Sequence, residues 1–263
     1  MDKLIKSAAL TRATVDVEAD IGLINAYTQK ELTPEEVFAF PLILCDNNVD
    51  RDMEAFTAQA LAKLAPLFVG KPVIFDHSWS AKGQTARIYK TEVVDMADKT
   101  TTGENLRQLQ AVAYIPKADY TQEAISKIES GILKEGSVGF AASRAKCSIC
   151  GQTMGWSKCP EDHQRGQTYA EGLCYGVIDN PTDAYEFSFV AVPAQRAAGV
   201  RKGFDGGIED AIAFLAEADL SGHLDAMEPI IKAYHQAQLT DADRKARADI
   251  LAENQKFVGG KQT

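Results

Sequence analysis

Cys147, Cys150, Cys159 and His163 form the pattern C-x2-C-x8-C-x3-H, and no other feature of the chain restricts its folding as much. Three thiolates and one imidazole are the donor set of a closed tetrahedral zinc site. The alternative is a cluster of free thiols. Cys174 follows closely enough to replace His163 as the fourth ligand, and Cys45 stands apart. An odd cysteine count behind an N-terminus without a signal-peptide core does not read as a disulfide framework. Gly151 and Gly155 suit the tight turns of a metal knuckle. A short polar loop has little core of its own, so the metal would supply its folding energy. With all four positions filled by protein, Zn2+ here is expected to be structural, not catalytic.

Around this loop the chain reads as a soluble globular protein, with 45% hydrophobic and 25% charged residues among 263. No apolar run is long enough to span a bilayer, so no membrane partner is expected. A net charge of −9 argues against nucleic-acid binding through overall charge. Arg144, Lys146, Lys158 and Arg165 outnumber Glu161 and Asp162 in the cysteine loop. That local excess leaves open a zinc-ribbon nucleic-acid module, against the plainer reading of a solvated loop.

Residues 13–20 alternate weakly and suggest a strand. Thr33-Pro34-Glu35-Glu36 reads as a cap and first turn. Residues 37–45 are a buried strand interrupted by Pro41. Residues 53–67 have a helical rhythm through Phe56, Leu61, Leu64 and Leu67. Strands follow at 71–77, 86–94 and 106–115, a helix at 120–130, and strands at 136–142 and 185–192. Beyond Gly206-Gly207 only helical patterns appear. The expected organisation is a strand-rich body over 1–205, a zinc-binding insertion at 143–184 and a helical C-terminal extension at 206–263.

Four histidines are present. His163 is taken by the metal pattern, and His223 and His235 sit among polar neighbours in the tail. His77 closes the strand KPVIFDH and opens a glycine-containing loop, where catalytic groups often stand; a structural histidine is the alternative. Ser137 lies in Gly136-Ser137-Val138-Gly139-Phe140. Ser137, Gly139 and Ala141 share one strand face and Val138 and Phe140 the other, so one face is open and the other is core. Glu186 sits in the apolar run YEFSFV, where a carboxylate needs a partner or an edge position.

In order and spacing, three segments resemble the prohead (capsid maturation) serine proteases of tailed bacteriophages, which are distantly similar to the herpesvirus assemblin proteases. KPVIFDHSWSAKGQTARI (71–88) resembles the histidine segment, LKEGSVGF (133–140) the nucleophile strand, and EFSFVAVPAQRAA (186–198) the Glu-Leu-Ser-Leu-Val-x-x-Pro-Ala signature. Some members also carry a Cys-x2-Cys insertion between the last two. The resemblance implies an α+β fold, a closed mixed β-barrel with surrounding helices. It implies a serine endopeptidase with Ser137 as nucleophile, His77 as general base and Glu186 as third group, with Asp76 as fallback. Backbone N–H groups near Gly139, or Arg196, would serve the oxyanion; Gln195 replaces the asparagine usual after Pro-Ala. Implied substrates are scaffold and major capsid protein precursors, and the chain itself, inside an assembling prohead in the host cytoplasm. Self-association is a further expectation. The non-enzymatic alternative is a zinc-stabilised capsid assembly or scaffold protein.

Overall fold

The computed structural model describes residues 15–201. The expected extension at 206–263, with His223 and His235, lies outside them. The described part is a mixed α+β structure, mostly strands with few helices.

Helix α1 (Val17–Asn25) replaces the strand expected at 13–20. Asp16 caps it by accepting the Ala19 N–H at 3.0 Å, which outweighs a weak alternation of a few residues. A short 3-10 turn (Pro34–Glu36) leads into β1 (Val37–Asp46). Residues 53–67 divide in two: β2 (Glu54–Phe56), then α2 (Ala58–Phe68), capped by the Thr57 hydroxyl. Leu61, Leu64 and Phe68 form the buried face of α2, so Phe68 takes the core position expected of Leu67. Strands β3 (Pro72–Phe75), β4 (Ala86–Lys99) and β5 (Asn105–Pro116) follow, then α3 (Gln122–Glu129) and β6 (Gly136–Ala142). The insertion holds β7 (Lys146–Cys147), β8 (Thr168–Tyr169), β9 (Gly172–Leu173) and β10 (Gly176–Ile178). It ends at β11 (Pro181–Phe189), a few residues before the expected limit, and β12 (Gly199–Val200) closes the series.

Seven strands form one sheet in the order β12-β1-β5-β4-β3-β11-β6. No closed barrel is found. The ladder ends at β12 and β6, and between these ends the contacts are one bridge, Glu135–Gly199, with Gly136 N–H donating to Ala198 O and Val200 N–H to Lys134 O. On one face Leu42, Leu44, Ile88, Leu109, Ile115, Phe187 and Phe189 pack with the buried side of α2. Against the other, Ile24 of α1 packs with Val37, Tyr89, Val112 and Tyr114. A smaller sheet, β2-β10-β7, carries the cysteine loop.

Candidate functional site

The site grows from β11, which pairs parallel with β3 on one side and antiparallel with β6 on the other. In the β11–β6 ladder Ser188 lies opposite Ser137 and Glu186 opposite Gly139. Opposed residues of an antiparallel pair project to the same face, with Cβ atoms about 4.5–5.5 Å apart. Phe187 and Phe189 point the other way, into the core. The face that the sequence leaves open on β6 is therefore the one that carries Glu186 and Ser188 on β11.

His77 reaches this face by a strained turn. Just past β3, Asp76 and His77 have φ of 50° and 51°, in the left-handed region that non-glycine residues rarely occupy. The turn is held at both ends: Asp76 N–H donates to Phe189 O at 2.9 Å, and His77 N–H donates to Ser188 Oγ at 2.8 Å. The His77 Nδ1–H then donates to Glu186 Oε1 at 2.7 Å. With Nδ1 committed to the carboxylate, Nε2 is left with its lone pair, the tautomer a general base requires. The Glu186 side chain is 3% exposed and that of His77 43% exposed, so the carboxylate is inside and the imidazole faces solvent. Burial raises the acidity constant of Glu186 above the ordinary carboxylate range, and the His77 contact partly reverses this.

Gly139 makes the arrangement fit. A Cβ there would stand 2.3 Å from Glu186 Oε1. The structure thus brings His77, Ser137 and Glu186 to one sheet face. Asp76 is exposed and stands beside the imidazole in sequence, but Glu186 is the carboxylate that bonds it. Ser188 went unassigned in the sequence, though a serine between two core phenylalanines was a signal that its hydroxyl has a fixed partner.

Gln195 is buried and ties down the end of β1: its Oε1 accepts from Asp46 N–H at 2.6 Å, and its Nε2 donates to Asp46 O at 3.0 Å. Arg196 is exposed. Its segment runs beside β6, since Ala198 O accepts from the N–H of Gly136, the residue before Ser137.

The second centre is in the insertion. The ligand atoms of Cys147, Cys150, Cys159 and His163 all lie within 4.8 Å of one another. Cys150 and Cys159 sulfurs are 3.6 Å apart, and His163 Nδ1 is 3.5 Å from Cys159 Sγ and 3.8 Å from Cys147 Sγ. Tetrahedral bonds of about 2.3 Å to sulfur and about 2.0–2.1 Å to nitrogen require edges of about 3.8 and 3.6 Å. These residues could therefore hold a metal ion. Cys174 lies 3.8 Å from Cys147 Sγ but outside the mutually close four, so His163 completes the group. Gly151, at φ 74°, makes the knuckle turn, and its N–H donates to Cys147 O. Three of the loop's cations are neutralised: Lys146 by Asp179, Lys158 by Asp162 and Arg165 by Glu54. The local positive excess seen in the sequence is thus mostly spent within the protein.

No family model matches the chain, and neither a curated protein nor a solved structure matches it. Among the described residues no helix is long and apolar enough to cross a membrane.

Proposed function

We propose that the protein is a serine endopeptidase. The observation that carries this reading is the 2.7 Å bond between the buried Glu186 carboxylate and His77 Nδ1, formed on the sheet face to which Ser137 projects. His77 Nε2 takes the Ser137 hydroxyl proton as Oγ bonds to the scissile carbonyl carbon. As the tetrahedral intermediate collapses the C–N bond breaks, and His77 returns the proton to the leaving amine. A water, deprotonated by His77, then hydrolyses the Ser137 ester. Glu186 fixes the tautomer and stabilises the imidazolium while it lasts. Arg196, or backbone N–H groups near Gly139, meets the oxyanion.

The substrates follow from the sequence resemblance: scaffold and capsid precursors during phage prohead maturation, and the chain itself. The contact between β12 and residues 134–136 supports a barrel-like curvature of the sheet. The insertion's ion is zinc, suited to three thiolates and an imidazole, and the free energy of binding it folds the loop.

The test is covalent labelling with a fluorophosphonate, mapped by mass spectrometry, alongside cleavage of co-expressed capsid precursor. Label on Ser137, and loss of both label and cleavage in Ser137→Ala, is the expected result. Cleavage that continues unchanged in Ser137→Ala overturns the proposal.

A further inference from the structure

We propose that Trp79 and Tyr185 form a subsite that receives a large apolar side chain of the peptide to be cut. The inference rests on the protease reading and names a substrate class for that site.

The two rings touch edge to face, with centroids 5.4 Å apart and planes at 60°. Trp79 is 75% exposed and Tyr185 39% exposed. Among the described residues this is the one ring contact between two exposed aromatics. Its position is specific. Trp79 lies two residues past His77, and Tyr185 immediately precedes Glu186. Tyr185 is also the extra residue where the β11–β6 register shifts, between the Ala184–Phe140 and Glu186–Gly139 pairs. A bulge breaks the strict alternation of a strand and re-aims a side chain. Here it allows Tyr185 to stay at the surface beside a fully internal carboxylate.

A tether between loop and strand would be the structural use of such a pair. The loop is already tied without it: Ser78 N–H donates to Phe75 O at 2.9 Å, Ser80 N–H to Ser78 O at 2.7 Å, and His77 to both Ser188 and Glu186. A tether would also cover its tryptophan, whereas three quarters of Trp79 is uncovered. Two rings that fix each other lose little entropy when a third group packs on them, which is the property of an anchor site. The exposed surface is aromatic, so the group it selects is a leucine, methionine or aromatic side chain.

A diverse peptide mixture digested by the full chain, by Trp79→Ala and by Trp79→Phe, and read by mass spectrometry, tests this. The full chain should favour a large apolar residue at one fixed distance from the cut. Trp79→Ala should lower kcat/KM for those peptides about 10–100-fold and for their alanine counterparts less than about twofold, with Trp79→Phe close to the full chain. An equal loss for all peptides, or no such preference in the full chain, overturns the subsite while the protease stands. No cleavage of any peptide overturns both. Binding is read separately in Ser137→Ala, Trp156→Phe, whose one remaining tryptophan is Trp79. Its fluorescence should change on titration with a favoured peptide and not with the alanine counterpart. No change with either overturns the subsite.

Discussion

Gly139→Ala is the sharpest test of the candidate site, because it adds one methyl group and touches neither His77 nor Ser137. The new Cβ would meet Glu186 Oε1 at 2.3 Å, Cδ at 3.1 Å and Cγ at 3.3 Å. Ordinary contact requires the carboxylate to retreat by about 1 Å. Glu186 is 2% exposed and walled by core, so the easy retreat is away from β6. That carries the 2.7 Å bond to His77 beyond the ~3.5 Å limit of a hydrogen bond. A displacement of about 1 Å in a catalytic group lowers rate by roughly 10²-fold, and a lost tautomer by up to about 10⁴-fold. The expected loss in kcat is thus about 10²–10⁴, or roughly 3–5 kcal/mol in the barrier. Overpacking should cost only about 1–3 kcal/mol of stability, read from thermal melts. The readouts are peptide turnover, fluorophosphonate labelling rate, and the downfield proton resonance of the His77 Nδ1–H. A double-mutant cycle with Glu186→Ala separates causes. If the methyl acts through the carboxylate, Gly139→Ala adds nothing once that carboxylate is gone. Full activity with an intact downfield resonance in Gly139→Ala would refute the reasoning.

The metal centre should bind about one zinc per chain by elemental analysis, and a strong chelator should lower the melting temperature and open β7–β10 to hydrogen exchange. Cys159→Ser should lose the metal while His163→Cys retains it, and a metal-free chain with an unchanged melt removes the claim. Asp50 provides a pH test. Burial pushes its carboxyl up to about 6, against opposing hydrogen bonds from the backbone N–H groups of Glu54 and Asp52. The folded state therefore holds this proton more tightly than the unfolded state. Its contribution is greatest below about pH 4 and is lost as pH rises through about 6. Asp50→Asn keeps the acceptor for both N–H groups and should flatten that part of the stability–pH curve by on the order of 1–2 kcal/mol in urea titrations. An unaltered slope between pH 4 and 6 contradicts it.

Strands with strong signals were legible in the sequence. The run at 37–45, KPVIFDH and the glycine-flanked strand around Ser137 all fall within a residue or three of their observed bounds. So was the metal group, since ligand spacing in one short loop is a local property. The failures were matters of context. Residues 13–20 alternate too briefly to outweigh the Asp16 cap. Glu54–Phe56 looked like the start of a helix because its partner in the ladder, β10, is remote in the chain. The role of Ser188 and the aim of Tyr185 depend on the β11–β6 register and its shifts, which no single strand records. The left-handed turn at Asp76–His77 was equally hidden, because it is imposed by Phe189 and Ser188 and not by a turn-forming residue.

The cysteine loop also has a mechanical meaning. Residues 143–180 stand between β6 and β11, the two strands that bear Ser137 and Glu186. Were that span a slack coil, zipping these strands together would forfeit roughly 3 kcal/mol of chain freedom. An ion gripping Cys147, Cys150, Cys159 and His163 turns most of the span into a rigid clip and shortens the effective tether. The ion would then govern how firmly nucleophile and carboxylate are held in register, without coming near either.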